Sequence, residues 1–321
     1  MKLIIQIPCY NEEGTLEAVI NDLPRKIQNI DVIETLIIDD RSTDRTVDVA
    51  RKLGVDHIVS FKTHQGLAKA FAAGIEYCLD QGADIIVNTD GDNQYKGEDI
   101  PKLIRPIIRG EADVVIGTRE IDEIPHFSFF KKKMQKFGSG IIRKLSKTPV
   151  KDATSGFRAF SKDAAMRINP LTEYSYTIES LVQLGNEKVK IMSIPIQVNQ
   201  KLRESRLIKN TPSFIARQSI TLFRMYIIYK AFRVFVLLGI IVILPGLFGF
   251  IRFVYYYFTR GGEGHVQSLI FSAVFVICGF FILMWGIIAD LVSSNRKMIE
   301  MMIYKIRKLK MSNKSRTKDE D

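Results

Sequence analysis

The first part of the chain alternates short apolar runs with amphipathic stretches. Predominantly apolar runs at 3–8, 33–38 and 84–89 predict buried strands, because strands that are buried on both faces show little polar alternation. Shorter strands are predicted at 57–61 and 113–117, and helices at 12–27, from Ser42 or Thr43 to 53, at 66–81 and at 100–108. This alternation predicts an α/β domain built on a parallel sheet.

Polar clusters follow the predicted strands. Ligands bind beyond the carboxyl ends of the strands in such sheets, so we expect a binding site where these clusters meet. The clusters are Tyr10-Asn11-Glu12, Asp39-Asp40, Asp90-Gly91-Asp92 and Thr118-Arg119.

Asp90 and Asp92 have the spacing of two carboxylates that share one ligand. Residues i and i+2 of an extended segment point the same way, and Gly91 between them allows close backbone approach. Oxygen ligands beside a diphosphate suit Mg²⁺ or Mn²⁺. The alternative is a surface turn, since Asp-x-Asp also occurs there.

The 39–46 segment has two interpretations. Ser42, Thr43 and Asp44 suit the N-terminus of a helix. Two aspartates at the end of a buried strand are not explained by capping, and Asp40 could accept hydrogen bonds from a base or a ribose.

Composition excludes several other classes of protein. The chain contains no GxxxxGK[ST] loop and no GxGxxG after the first strand, which argues against NTPases, kinases and dehydrogenases. Three cysteines without a CxxC pair, and four histidines without ligand spacing, argue against a disulfide framework and a zinc site.

The C-terminal part predicts two membrane spans. Residues 234–251 are 18 uncharged residues, extended by aromatics to 258, and residues 269–289 are 21 more. Each can cross a hydrocarbon core of about 30 Å. Lysines and arginines flank the pair and only one lies in the connection 259–268, so we expect both ends in the cytoplasm. The flanking residues are Arg217, Arg224, Lys230 and Arg233 before the spans, and Arg296, Lys297, Lys305, Arg307, Lys308 and Lys310 after them.

The net charge of +11 fits nucleic acid, an anionic membrane surface or phosphorylated substrates, and the apolar C-terminal third favours the membrane. We expect a membrane partner and no nucleic acid. Residues 127–147 interleave aromatic and aliphatic residues with seven lysines or arginines, which predicts a helix in the bilayer interface or, alternatively, a solvated basic helix. The apolar run 3–7 is too short for a signal peptide, so residues 1–210 are expected to stay in the cytosol.

Five ordered motifs together resemble the family 2 inverting glycosyltransferases of the GT-A fold. In particular they resemble polyprenyl-phosphate glycosyltransferases such as dolichol-phosphate mannosyltransferase, which include bacterial enzymes with two C-terminal membrane helices. The motifs are IPCYNEE (7–13), DDRSTDRT (39–46), TDGDNQ (89–94), Gly117-Thr118-Arg119 and DATSGFRAF (152–160).

The resemblance implies roles for individual residues. A nucleoside would be held by Pro8, Tyr10, Glu12, Ile38 and Asp40, and a divalent metal with the diphosphate by Asp90, Gly91, Asp92 and Gln94. Of these, Asp90, Asp92 and Gln94 are the implied metal ligands. Arg119 would contact a phosphate of donor or acceptor. Arg206 matches the end of a late basic motif of the family, and Arg203 would substitute for its usual arginine.

The expected function is transfer of one sugar from a UDP- or GDP-sugar to undecaprenyl or dolichyl phosphate at the cytoplasmic membrane face. Trp285, the only tryptophan, lacks the Gln-x-x-Arg-Trp context of processive synthases. Two alternatives remain: transfer to a hydroxyl of diacylglycerol or a growing glycan, with Asp152 or Glu179 as general base, and a non-enzymatic nucleotide-sugar sensor. Homo-oligomerisation stays open. The expected organisation is a GT-A domain (1–210), an amphipathic juxtamembrane helix (211–233), the spans (234–292) and a basic cytosolic tail (293–321).

Overall fold

The computed structural model of the protein forms two compact units. One consists of residues 1–222 with 303–321, and the other of residues 223–302. The structure describes residues 1–119, 140, 142, 143, 146, 148–150, 152–169, 176–199, 211–261 and 266–319. The basic aromatic segment 127–147 lies almost wholly outside the described residues, as do Arg203 and Arg206.

A seven-stranded mixed sheet forms the centre of the first unit. Its spatial order is β3-β2-β1-β4-β6-β5-β7. Strands β1 to β4 are parallel, as predicted. The sheet is nevertheless mixed, because β6 lies between β4 and β5 and runs antiparallel to both. β7 is parallel to β5. The strands are β1 Lys2–Cys9, β2 Val32–Asp39, β3 His57–Ser60, β4 Ile85–Asn88, β5 Val114–Arg119, β6 Arg158–Ser161 and β7 Ile191–Ile196.

Helices connect the strands and cover the sheet. α3 begins after Gly66 and ends before Gly82, and both glycines have positive φ, at 90° and 78°. α1 is much shorter than the predicted 12–27, because residues 12–15 form a turn of the site and the helix ends at Asp22, just before Leu23 and Pro24. The helices are α1 Leu16–Asp22, α2 Thr46–Lys52, α3 Leu67–Asp80, α4 Ile100–Ile108, α5 Lys162–Arg167, α6 Tyr176–Asn186, α7 Thr211–Arg260 and α8 Val266–Asp319.

The core contains one polar element beside its aliphatic side chains. Leu3, Ile5 and Ile7 of β1 are fully buried, and each such side chain stabilises the fold by about 1.5–3 kcal/mol. Gln6 is also fully buried, and its Nε2 donates to Oδ1 of Asn88 at 2.9 Å. This hydrogen bond joins the two amides across β1 and β4, the strands that lead to the site.

The second unit contains the apolar parts of α7 and α8. Tyr226–Thr259 and Val266–Asn313 are long and apolar enough to cross a membrane by length and composition, and 18-residue stretches within them have mean hydropathies of 2.9 and 2.5. The helices pack closely, since a Cβ added at Gly279 would lie 2.3 Å from Cγ1 of Ile243. α7 contains Pro245 and has non-helical angles at Lys230. Both predicted apolar stretches lie in these helices; the four-part division stays a prediction.

Candidate active site

The loops after β1 and β2 are joined by hydrogen bonds. Asn11 has a φ of 57°, and its backbone N–H donates to Oγ of Ser42 at 2.9 Å. In return, Oδ1 of Asn11 accepts from the backbone N–H of Thr43 at 2.7 Å, and the backbone N–H of Glu12 donates to Oγ1 of Thr46 at 2.8 Å. Ser42 and Thr43 therefore hold the first loop rather than capping α2, which begins at Thr46.

Asp40 organises a second corner of the site. Its buried carboxylate accepts from the backbone N–H groups of Gln65 and Gly66 at 2.7 and 2.8 Å. Nδ1 of His64 lies 2.9 Å from Oδ2 of Asp40, and the His64 ring packs on Tyr10 with 4.3 Å between centroids. The side chains of Tyr10 and His64 are exposed. This pair presents an aromatic surface on which a planar base can stack.

The loop after β4 packs directly against the loop after β1. Oγ1 of Thr15 donates to the Gly91 carbonyl at 2.7 Å and to Oε2 of Glu12 at 3.0 Å. A Cβ added at Gly91 would lie 3.2 Å from both Sγ of Cys9 and Cγ of Glu12. Gly91 therefore packs closely against both side chains, and it brings the Asp90–Asp92 turn beside Glu12.

The electrostatics of this turn suit a divalent cation. Burial, followed by the charge of Asp92, raises the pKa of Asp90 to about 7, although Arg119 opposes the shift. A bound cation would stabilise the charged forms of both carboxylates against this burial. Among the described residues no group of three or more His, Cys, Asp or Glu is placed to hold a metal. Two carboxylates fit Mg²⁺ or Mn²⁺ if phosphate oxygens and water complete the shell.

Arg119, at the end of β5, is tied to Asp152. Its Nε donates to Oδ2 of Asp152 at 2.7 Å, and its Nη2 to Oδ1 at 3.2 Å and to Oγ1 of Thr154 at 3.0 Å. Burial pushes the pKa of Asp152 up, but Arg119 and Thr154 outweigh it and hold that pKa below its usual value. Asp152 is thus a positioned anion and a poor proton acceptor at neutral pH.

Arg158 is a fully buried cation on β6. Its guanidinium donates to the carbonyls of Ala153, Ser155 and Thr177, each at 2.8 Å, and to Oγ of Ser180 at 3.2 Å. Burial lowers the pKa of Arg158, yet an arginine remains charged. Its hydrogen bonds hold the 152–156 loop, which carries Asp152 and packs Gly156 against Asp90.

Comparison with known proteins decides the family. The model of the family described as Glycosyl transferase family 2 matches residues 4–168, just over half of the chain. The chain belongs to this family. Both the resemblance read from the motifs and the prediction of a glycosyltransferase are confirmed.

Relatives of this family 2 glycosyltransferase include two enzymes named for lipid phosphates. The undecaprenyl-phosphate mannosyltransferase of Micrococcus luteus is 27% identical over 64% of this chain and 88% of its own length. The UDP-N-acetylglucosamine–dolichyl-phosphate N-acetylglucosaminyltransferase of Methanococcus voltae is 30% identical over 60% and 83%, respectively.

A solved structure supports the same fold. Glucosyl-3-phosphoglycerate synthase from Mycobacterium tuberculosis, in complex with Mn²⁺, UDP and phosphoglyceric acid, has a TM-score of 0.55 and 20% identity. The match covers 70% of this chain and 78% of that one. The predicted fold class, a GT-A domain followed by two candidate membrane helices, is confirmed.

The family 2 domain gathers most predicted site residues at the carboxyl ends of its strands. Pro8 and Ile38 are register partners in β1 and β2, and Asp92 accepts from the backbone N–H of Gln94 at 3.1 Å. Glu179 differs, because its side chain is fully buried on α6. The individual roles of all these residues stay predictions.

Sequence reasoning assigned no role to two residues that help to build this site. His64 lies just before α3 and shows no metal-ligand spacing with the other histidines. Gly66, at the start of α3, was the only local feature that could have pointed to a tight turn here. Arg158 lies inside the DATSGFRAF motif (152–160), but the motif alone does not show that this arginine is buried, so it was not among the predicted site residues.

Proposed function

We propose that this glycosyltransferase moves one sugar from a UDP- or GDP-sugar to a polyprenyl phosphate, with inversion at the anomeric carbon. The observation that carries the proposal is the Arg119–Asp152 pair. An acceptor hydroxyl needs a general base, and both candidates are unsuitable: Asp152 is bound to Arg119, and Glu179 is fully buried. A phosphate monoester has a second pKa of about 6 and is already mostly a dianion near pH 7.

The donor would lie across the carboxyl ends of the strands. Tyr10 and His64 would stack against the base, with Pro8, Glu12, Ile38 and Asp40 around the nucleoside. Asp90 and Asp92, with Gln94 as a further oxygen donor, would hold Mg²⁺ or Mn²⁺. The cation, when bound, would neutralise charge on the leaving nucleoside diphosphate.

The names of the relatives support the acceptor class. Two of them are named for undecaprenyl or dolichyl phosphate, and two helices of this chain are long and apolar enough to cross the kind of membrane that holds such lipids. Arg119 would face the phosphates from its Asp152 anchor. Arg203 and Arg206 remain proposed contacts that lie outside the described residues.

A direct assay tests the reaction. The full-length protein in detergent micelles would be incubated with a panel of UDP- and GDP-sugars, Mn²⁺, and either undecaprenyl phosphate or undecaprenol. We expect a glycosyl phosphate product from the phosphate alone, with inverted anomeric configuration by NMR. Efficient transfer to undecaprenol would refute the proposal and favour the hydroxyl-acceptor alternative.

We further propose that the enzyme is a two-helix membrane protein with its catalytic unit and both termini in the cytoplasm. The flanking positive charges support this orientation. After replacement of the native cysteines, single cysteines at 261 and 313 separate the alternatives. Impermeant reagent on intact cells should label only position 261.

A further inference from the structure

A groove opens between α7 and α8 within the second unit. Its volume is about 350 Å³. The apolar walls come from Ile227, Ala231 and Phe235 on α7 and from Trp285, Ala289 and Val292 on α8. Ser293 and Arg296 line it as well and are its polar members.

The backbone explains why the groove lies at this level of the helix pair. Towards the middle of the spans, glycines bring the helices into contact: a Cβ added at Gly239 would lie 2.7 Å from Cδ2 of Leu283. Lys230 departs from helical angles, with φ −137° and ψ 29°. The wall of α7 includes residues on both sides of that break, so the break shapes the wall.

The lining is almost wholly apolar, and one cation, Arg296, lies at its edge with its charge held by Glu300. Arg296 is only 17% exposed, its Nε donates to Glu300 at 2.8 Å, and its guanidinium lies 5.4 Å from the Tyr229 ring centre. Lys230 and Lys297 adjoin lining residues in sequence. An apolar cavity of about 150 Å³ holds a six-carbon ring, so by the same ratio this one has room for roughly fourteen carbons, or about three isoprene units.

We infer that the groove binds the phosphate-proximal isoprene units of the acceptor lipid, with Arg296 on the phosphate side. This inference rests on the proposed function, since it takes the acceptor to be a polyprenyl phosphate. Burial of apolar chain supplies affinity at about 0.8 kcal/mol per CH₂. The arginine supplies discrimination between polyprenyl phosphate and polyprenol.

Trp285 makes the test direct, because it is the only tryptophan of the chain and lines the groove. Undecaprenyl phosphate would be titrated into the full-length protein in detergent micelles while Trp285 emission is recorded. We expect a saturable change that dioleoyl phosphatidic acid at equal concentration does not produce. An equal response to phosphatidic acid would make the groove a general phospholipid site and overturn the inference.

Variants separate the two parts of the ligand. Ala231→Phe fills the groove and should weaken undecaprenyl phosphate binding at least tenfold, whereas Ala273→Phe, on an exposed face of α8, should not. Arg296→Gln should weaken binding of undecaprenyl phosphate at least tenfold but leave that of undecaprenol unchanged. UDP or GDP binding by each variant serves as the control for folding.

The outcomes also separate this inference from the proposed function. If Ala231→Phe folds and transfers sugar to undecaprenyl phosphate with an unchanged lipid KM, the groove inference is wrong and the function stands. If Trp285 responds as expected but no donor yields a glycosyl phosphate, the lipid site stands and the proposed reaction is wrong.

Discussion

Gly156→Ala should disable the proposed metal corner without changing any charged residue. A Cβ at this position would lie 2.8 and 2.9 Å from the two carboxylate oxygens of Asp90 and 2.9 Å from the Tyr176 hydroxyl. Tyr176 is held by stacking on Phe71, with 4.1 Å between centroids, and by Asn88. The Asp90 carboxylate is therefore the group that must move.

The expected loss of metal affinity follows from the cost of overpacking this contact. One methyl group forced into a packed site costs typically about 1–3 kcal/mol. If that cost falls on the metal-bound state, affinity drops by about 5- to 150-fold, since about 1.4 kcal/mol corresponds to tenfold. Gly156 has no positive φ, so an alanine meets a steric obstacle only.

Calorimetric titration of Mn²⁺ in the presence of UDP or GDP measures this loss. Gly14→Ala is the matched control, because a Cβ there meets nothing within 4 Å and its φ is also not positive. We expect an unchanged Mn²⁺ affinity for the control and a loss of at least fivefold for Gly156→Ala. A folded Gly156→Ala enzyme with wild-type Mn²⁺ affinity would refute the reasoning.

Three further predictions test other parts of the structure. Asp92→Asn should abolish turnover, and EDTA should do so reversibly in the wild type; full activity in EDTA would contradict the metal role. Asp152→Asn leaves the Arg119 charge buried and should cost about 3 kcal/mol of stability. Because the folded pKa of Asp152 is lowered, its contribution is present above about pH 4 and lost below it, so this variant should lose less stability than the wild type on acidification from pH 4 to 3. Arg307 donates to the carbonyls of Met166 and Ile168 at 3.0 and 2.9 Å, so Arg307→Ala should lower the thermal midpoint by about 2–8 °C, for about 1–2 kcal/mol. The exposed Lys305→Ala should not lower it, and equal midpoints for the two variants would contradict that contact.

Some properties were predictable because they depend on local sequence. A parallel strand that is buried on both faces is predominantly apolar, so β1, β2 and β4 were located to within one or two residues. α4 coincides with its predicted range. Long apolar stretches are equally local signals. The polar motifs after the strands were located because their position depends only on where each strand ends.

The pairing of distant residues was not predictable in the same way. β6 is four residues long and fully buried except at its end, which is too short for periodicity to distinguish strand from helix. Its insertion between β4 and β5 carries Arg158 into the interior. The antiparallel direction follows from tertiary pairing and leaves no local pattern.

The Arg119–Asp152 pair shows most clearly what the sequence determines and what only tertiary contacts decide. From the sequence Arg119 was a phosphate-binding cation and Asp152 a candidate base, each considered alone. The sequence determined that both charges exist and that each lies near a motif. Only the tertiary structure placed them 2.7 Å apart. A sequence separation of 33 positions is compatible with many arrangements, and a pKa depends on which neighbour the group contacts.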